Sequence, residues 1–272
     1  MHAIREFEQN GFLLLPHALS TAQVKELNAA VDRYRAEYPE EWVHFSESFI
    51  QTVDVLPNVA GFDAAIENPA ILDVLRGLIG DDLTFEEFSI ILRNPTREGS
   101  DHKSWHRDIT REYDRRMEID AISMVYYLTD VTETDHCFSI IPGTHGPLVD
   151  LRPEDVRPGM EVDLTGAAGT AFLFHARSIH SGKLKPQSRQ RRTLHVYYSR
   201  AGKPRTSEWT RIPARLYEKH DPSLPAFLYS KWNSTDIFEG TGRKPRDLDP
   251  AMPAVEMLRE VQRRANRRQA VP

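Results

Sequence analysis

The feature that most limits the fold of this chain is a succession of short β-rich segments between residues 83 and 200, with no helical pattern between them. Residues 119–128 alternate between two faces with a period of two, as the side chains of a strand do. Turn signals at Asn94-Pro95, Pro142-Gly143 and Gly166–Gly169 separate the segments. Strands that follow one another without alternating helices predict a β-sandwich or a closed β-barrel.

The regions on either side of these strands carry different signals. Phe12-Leu13-Leu14-Leu15 is typical of a short buried strand, and Ser20-Thr21-Ala22-Gln23 is a capping-box pattern that predicts the start of an amphipathic helix. Asn68-Pro69 predicts the start of another helix, residues 39–62 lack a regular pattern, and residues 254–268 predict a C-terminal helix. We expect one domain over residues 1–272, made of an N-terminal helical part (1–82), a β core (83–200) and a C-terminal extension (201–272).

Composition excludes several classes of function. The formal net charge of −5 gives no reason to expect a nucleic-acid partner. No apolar run approaches the length of about 18 residues that predicts a transmembrane helix, and the N-terminus lacks the apolar core of a secretion signal. The single cysteine, Cys137, excludes an intrachain disulfide. We therefore expect a cytoplasmic protein with neither a membrane nor a nucleic-acid partner.

His106 and Asp108 lie two positions apart in the stretch Ser104-Trp105-His106-Arg107-Asp108. On extended backbone, side chains at this spacing point to the same side, so an imidazole nitrogen and a carboxylate oxygen can face one point. These are two members of the 2-His-1-carboxylate set, which leaves open positions on a non-haem Fe(II) ion. A His-x-Asp match is expected about once by chance in such a chain, so a surface His–Asp pair remains the alternative.

A third ligand has to come from a distant part of the chain. His180 follows an apolar strand and precedes Ser-Gly, which suits a ligand at the mouth of a barrel, whereas His175 and His195 are expected to pack within strands. Eleven residues after His180, Arg191 opens another strand. A guanidinium on the inner wall of a barrel needs an anion, and its planar fork fits a carboxylate. Arg192 alternates to the opposite face, where we expect it to be solvated.

Together these features resemble the phytanoyl-CoA dioxygenase family of Fe(II)- and 2-oxoglutarate-dependent oxygenases. The resemblance runs from about residue 7 to residue 200 and includes Phe7-x-x-x-Gly11-Phe12 followed by Pro16, Trp105-His106-x-Asp108, Ile141-Pro142-Gly143-Thr144-His145, and His180 with Arg191 downstream. The chain departs from the family pattern at Asp135-His136-Cys137, where many members carry Asn-Gly. This departure leaves the local turn open.

The resemblance implies a double-stranded β-helix, the jelly-roll or cupin-like barrel, with N-terminal helices packed on one sheet. It makes His106, Asp108 and His180 the ligands of iron. It makes Arg191 the residue that binds the distal carboxylate of 2-oxoglutarate, with Ser123 helping to hold that carboxylate. The implied cofactors are Fe(II), 2-oxoglutarate as co-substrate, and O2.

The implied activity is hydroxylation, or another oxidation, of a small organic molecule, coupled to decarboxylation of 2-oxoglutarate to succinate and CO2. Two alternatives stay open: a cupin-like metal-dependent isomerase or hydrolase, which has no use for Arg191, and a non-catalytic jelly-roll binding protein. The aromatic-rich residues 42–62 and 209–238 are expected to cover the pocket. Such a cover favours a moderately apolar substrate, such as a natural-product intermediate of secondary metabolism. The sequence selects neither the substrate nor the oligomeric state.

Overall fold

Two long strands, β4 (Leu83–Arg93) and β10 (Arg191–Arg200), pair at the centre of a seven-stranded sheet in this computed structural model. The structure describes residues 2–53, 55–96, 104–109, 121–146, 149–186, 188–203 and 212–232. Numbered in chain order, the other strands are β1 (Phe12–Leu15), β2 (Val43–Ser46), β3 (Phe49–Thr52), β5 (Ala121–Tyr127), β6 (Cys137–Ile140), β7 (Val162–Leu164), β8 (Ala171–His175) and β9 (His180–Lys183). The helices are α1 (His2–Asn10), α2 (Thr21–Glu37), α3 (Asp63–Ile66), α4 (Pro69–Ile79) and α5 (Ala214–Tyr217).

The strands form two antiparallel sheets that face each other. The larger sheet has the order β1-β8-β5-β10-β4-β3-β2, and the smaller one has the order β7-β6-β9. Apolar side chains from β5 and β8 meet those of β6 and β7 in a buried cluster between the sheets. This arrangement is the sandwich or barrel that the succession of strands predicts.

A second apolar core lies on the outer face of the larger sheet, where α2 and α4 pack. Leu194, Val196 and Tyr198 of β10 belong to this outer core. Because strand side chains alternate, the intervening residues of β10 face the space between the sheets. This inner set is largely polar and consists of Arg191, Thr193, His195, Tyr197 and Ser199.

Local signals at the helix ends form as the sequence predicts. Ser20 and Gln23 make both hydrogen bonds of the capping box at the start of α2. The Asn68 side chain accepts a hydrogen bond from Ala70 N at the start of α4, and α4 ends at Gly80, whose φ of 99° favours glycine. Within the described residues, no helix combines the length and the apolar character needed to cross a membrane.

The structure differs from the sequence-based expectation between residues 39 and 62, which contain the two short strands β2 and β3. β3 pairs with β4, with Phe49 opposite Arg93, and β2 continues the sheet edge. Strands of four residues are too short to show a period, so pairing with the long β4 decides their conformation. The N-terminal part is therefore not purely helical, since it supplies three strands. The expected helix at residues 254–268 lies outside the described residues, and the single-domain division stays a prediction.

The turn before β6, where the chain departs from the family pattern, is closed by the Asp135 carboxylate. Thr132 donates to Asp135 Oδ2 through its backbone N at 2.9 Å and its hydroxyl at 2.7 Å, and the Arg189 guanidinium donates at 3.0 Å. Burial opposes ionisation of Asp135, but these hydrogen bonds hold its pKa well below the usual range. A carboxylate with its own donors thus replaces the Asn-Gly turn.

Candidate metal centre

The backbone of His106 pairs with the backbone of His180. His106 N donates to His180 O and His180 N donates to His106 O, both at 3.0 Å, which makes a two-residue antiparallel bridge. The bridge holds the His-x-Asp stretch against the start of β9. One ligand atom each of His106, Asp108 and His180 lies within 4.8 Å of the others. The structure thus brings together the three residues that the sequence singles out as metal ligands.

Asp108 is oriented by both its backbone and its carboxylate. Its backbone N donates to Ala176 O at 3.0 Å, in the loop between β8 and β9. Its Oδ1 lies 3.3 Å from His180 Nε2 and 3.7 Å from His106 Nε2, and its Oδ2 accepts a hydrogen bond from Ser123 Oγ at 2.8 Å. Burial opposes ionisation, but the two imidazoles and the Ser123 hydroxyl outweigh it and keep the pKa of Asp108 below its usual value. An ionised carboxylate therefore faces both imidazoles.

Each imidazole has its Nδ1 beside a backbone carbonyl. His106 Nδ1 lies 3.1 Å from Ser104 O, and His180 Nδ1 lies 3.0 Å from Ser178 O. Because a carbonyl only accepts, Nδ1 carries the proton and Nε2 keeps the lone pair that a metal needs. Burial, followed by the neighbouring His180, lowers the pKa of His106. His180 stacks on Phe138 and its side chain is 4% exposed, whereas that of His106 is 52% exposed. His180 thus lies against an apolar wall, and His106 lies at the open mouth of the site.

Arg107, between the two ligands of the motif, ties three segments together. Its guanidinium donates hydrogen bonds to the carbonyl oxygens of Thr144, Leu151 and Arg177. These carbonyls belong to the loop after β6 and to the loop that leads into His180. Arg107 therefore fixes the His-x-Asp stretch relative to the third ligand. The sequence gives no signal for this role, because the partners are distant backbone atoms.

Arg191 and Arg192 occupy opposite faces of β10, as their alternation predicts. Arg191 is 6% exposed on the inner face, and its Nε has no hydrogen-bond partner. Burial lowers its pKa. Arg192 lies on the outer face and pairs with Asp32 at 2.8 Å. A buried guanidinium without a partner calls for an anion, so Arg191 has the chemistry expected of a carboxylate-binding residue.

Ser123 does not lie at the Arg191 end of the site. It is paired with Tyr197, six positions beyond Arg191 on the same strand. Its hydroxyl lies at the metal ligands instead, where Oγ donates to Asp108 Oδ2 at 2.8 Å. The structure shows Ser123 as a hydrogen-bond donor to Asp108, and its expected role at the distal carboxylate stays a prediction. The register between β5 and β10 decides this, and a single strand does not reveal it.

The two alternative histidines lie outside the metal cluster. His175 Nδ1 accepts a hydrogen bond from Arg177 N at 3.1 Å, and burial lowers its pKa to about 3. The Nε2 of His195 lies 3.0 Å from Thr193 Oγ1, and burial, followed by Arg191, lowers its pKa to about 3. His195 is on the inner face of β10, four positions after Arg191 and two before Tyr197, so it lies between the arginine and the level of Ser123.

Sequence reasoning missed Arg93, which is directly opposite Arg191 on β4. Only the register of two strands far apart in sequence reveals it.

Four aromatic side chains of the two segments expected to cover the pocket pack in the core instead. Trp42 and Phe62 belong to the core on the outer face of the larger sheet. Tyr217 and Tyr229 pack against the same core. Residues 209–211 and 233–238 of the second segment lie outside the described residues. These four side chains therefore stabilise the fold, whereas Phe49 of the first segment lies 3.8 Å from the Arg93 guanidinium.

The donor set suits iron and 2-oxoglutarate. Two imidazoles and one carboxylate on one side of a point leave coordination positions open on the other side, as non-haem Fe(II) sites require. A buried guanidinium with an unpaired N–H on the same inner wall suits the second carboxylate of a chelating dicarboxylate.

The fold and this donor set define the class of Fe(II)- and 2-oxoglutarate-dependent oxygenases. The family model described as "Phytanoyl-CoA dioxygenase (PhyH)" matches residues 7–193, and the chain belongs to that family. It is an enzyme, with iron as its metal and 2-oxoglutarate and O2 as its co-substrates, as the sequence predicts. Family membership favours an oxygenase over a metal-dependent isomerase or hydrolase and over a binding protein.

Three relatives illustrate the range of the class. L-proline trans-4-hydroxylase of Streptomyces griseoviridis is 26% identical over 269 residues, which is 85% of this chain and 92% of the relative. The carbocyclase SnoK from nogalamycin biosynthesis has a TM-score of 0.62 at 19% identity, over 82% of this chain and 92% of its own. The epimerase SnoN, in complex with Fe3+, alpha ketoglutarate and nogalamycin RO, has a TM-score of 0.60 at 20% identity, over 74% and 83%. The predicted fold class is confirmed, but one fold carries three reactions.

Proposed function

We propose that this enzyme binds iron through His106, Asp108 and His180 and hydroxylates a small polar organic molecule. The observation that carries the proposal is the convergence of the three ligand atoms within 4.8 Å of one another, on the inner wall that also holds an arginine without an anion. A surface His–Asp pair has no reason to meet a second histidine through a backbone bridge.

The side chains around the metal ligands orient them and exclude water. When bound, iron and 2-oxoglutarate supply oxidation by O2, which releases succinate and CO2 and delivers one oxygen atom to the substrate. Ser123 holds one oxygen of Asp108 and thereby directs the other oxygen towards the imidazoles. Phe138 and Phe174 pack against His180 and keep that side of the site dry. Arg191 binds the far end of the co-substrate.

The other end of the inner wall supports a polar substrate. β10 runs from Arg191, past Tyr197 at the level of Ser123, to Ser199. There the Lys231 ammonium donates to Glu86 at 2.5 Å and to Ser199 at 2.7 Å, and all three side chains are buried or nearly so. This buried cluster keeps the end of the wall polar, and together with the related L-proline trans-4-hydroxylase it supports a substrate with its own polar groups.

The related L-proline trans-4-hydroxylase gives a first choice of substrates to test. The purified enzyme, with Fe(II), ascorbate and isotopically labelled O2, is incubated with L-proline, other small amino acids and cyclic amines. Succinate and substrate masses are then measured with and without 2-oxoglutarate. We expect at least one substrate to give a product that carries one labelled oxygen atom. The amount of this product should equal the amount of succinate.

Two results would contradict the proposal. If succinate forms in the same amount as a desaturated, epimerised or cyclised product without label, the enzyme still belongs to the oxygenase class, but the proposed hydroxylation is wrong. A product formed without 2-oxoglutarate, with Zn2+ or Mn2+ in place of iron, would overturn the oxygenase reaction and favour the isomerase or hydrolase.

A further inference from the structure

Arg93 and Arg191 form a pair of buried cations on the inner wall, called here the arginine pair. They are directly opposite each other on β4 and β10, so their side chains project from the same face. Arg93 is 8% exposed and Arg191 is 6% exposed. Arg93 Nη1 and Arg191 Nε have no hydrogen-bond partner, and no carboxylate among the described residues pairs with either guanidinium. Two like charges side by side in a buried position are unfavourable unless an anion joins them.

The Arg93 guanidinium reaches across the space between the sheets. It lies 3.8 Å from the ring centroid of Phe49, which supports it from one side. A Cβ added to Gly182 would also lie 3.8 Å from Arg93 Nη2. Gly182 is on β9, two residues after the metal ligand His180. The Arg93 head group therefore lies between the two sheets on the side that carries the metal centre.

The charges of the neighbouring groups support this position. Burial is the main cause of the low pKa of His195, and Arg191 and Arg93 lower it further while Asp108 opposes them. His195 is four positions after Arg191 on the same inner face of β10, and Ser89 lies opposite it on β4. Burial, followed by the adjacent Arg191, lowers the pKa of Arg93 to about 9. The two guanidinium groups therefore repel each other when no anion lies between them.

We propose that Arg93 is a second binding residue for the distal carboxylate of 2-oxoglutarate, which the arginine pair holds between two guanidinium groups. This inference rests on the proposed function. A carboxylate has two oxygens with about four acceptor positions, enough for the parallel N–H groups of two arginines. The anion relieves the repulsion within the pair, and the absence of a side chain at Gly182 leaves space beside it.

The position of the arginine pair favours the co-substrate over the substrate as the source of this carboxylate. The substrate side of the wall, at Tyr197 and Ser199, lies six to eight positions along β10 from Arg191. A substrate bound at that end lies far from the pair. The Arg93 guanidinium is beside Gly182, two residues after the metal ligand His180, so a dicarboxylate that chelates the metal extends towards the pair.

The test compares two 2-oxo acids that differ in the distal carboxylate. Dissociation constants of 2-oxoglutarate and 2-oxobutanoate are measured without O2 on the Fe(II)-loaded wild type and on Arg93→Met, Arg93→Lys and Arg191→Met. Arg192→Met, which changes the adjacent arginine on the outer face, is the matched control. We expect Arg93→Met to weaken 2-oxoglutarate binding by about tenfold or more, as truncating one partner of a buried charge pair does. Binding of 2-oxobutanoate should change less than about twofold, since that ligand has no distal carboxylate to lose.

The same variants separate ligand binding from a structural role. Arg93→Lys keeps the positive charge but loses the planar guanidinium with its parallel N–H donors. Its affinity for 2-oxoglutarate should therefore fall between those of wild type and Arg93→Met. Without ligand, Arg93→Met should melt no lower than wild type, because the substitution removes a buried, unpaired charge. A lower melting temperature with equal losses for both 2-oxo acids would mean that Arg93 only supports the fold, and would overturn the inference.

Two further outcomes are decisive in different ways. If Arg93→Met discriminates between the two 2-oxo acids as well as wild type does, while Arg191→Met does not, Arg191 acts alone and the inference fails. If the Fe(II)-loaded wild type prefers neither acid, the proposed function fails together with the inference.

Discussion

The Ser123 hydroxyl is the side chain that fixes the orientation of the Asp108 carboxylate, through a hydrogen bond of 2.8 Å. We predict that Ser123→Ala weakens Fe(II) binding by about 10–100-fold, which is typical for the loss of a hydrogen bond to a metal ligand. Without this donor, Asp108 can rotate and its ionised form is less favoured. The measurement is an Fe(II) titration without O2.

The matched control is Tyr126→Phe, which removes another buried hydroxyl from the same strand. Tyr126 faces the opposite side and donates to Ala65 O at 3.0 Å. This variant should lose about 1 kcal/mol of stability and bind Fe(II) as wild type does. Equal loss of iron binding in both variants would mean that general destabilisation, and not the contact with Asp108, is responsible.

Which site residues the sequence reveals depends on how far apart in the chain the partners lie. His106 and Asp108 are visible because strand alternation acts over two residues, and Arg191 and Arg192 are separated by the same rule. Ser123 and Arg93 are different. The residues of β10 that lie opposite them are set by the register of β10 with β5 and β4. Local sequence patterns do not determine this register.

Among the larger elements, the segment around Lys231 covers the first half of β4, which β3 leaves unpaired. Phe85 N donates to Leu228 O at 2.7 Å, and Lys231 reaches over the strand to form a buried ion pair with Glu86. We predict that Lys231→Met lowers the free energy of unfolding by about 3–5 kcal/mol, because removing one partner of a buried ion pair is strongly destabilising. Urea denaturation measures this loss.

Two controls accompany this prediction. The double variant Glu86→Met with Lys231→Met should recover much of the stability, since replacing both members of a buried pair by apolar groups is often tolerated. Arg152→Met breaks the exposed pair of Arg152 with Asp155 and should cost less than about 1 kcal/mol. A similarly small effect of Lys231→Met would contradict the burial of the ion pair.

The strands that the sequence does not reveal lie at the edge of the larger sheet. β4 and β10 are long and rich in β-forming residues, so their pattern is visible, whereas β2 and β3 have four residues each. Their conformation comes from pairing with β4 and from the stacked rings of Phe45 and Phe49. Such tertiary contacts override weak local preference, and sequence alone does not report them.

At the scale of the whole molecule, the inner wall has two chemically different ends. The end at Arg93 and Arg191 suits a carboxylate without a protein partner, and the end at Ser199 holds an internal ion pair to which Lys231 contributes. The family match ends at residue 193, so Lys231 belongs to a part of the chain outside it. We predict that this part of the chain contributes to substrate selection, and location in the cytoplasm stays a prediction.

The central claim is that His106, Asp108 and His180 bind one iron ion, and one measurement tests it most directly. Fe(II) bound per chain is determined without O2 for wild type, His180→Ala and His175→Ala. The two histidines are matched, since each is 4% exposed and lies at an end of a strand of the fold. We expect one Fe(II) per chain in wild type and in His175→Ala, and loss of most binding in His180→Ala. Retention of iron by His180→Ala together with its loss from His175→Ala would contradict the site.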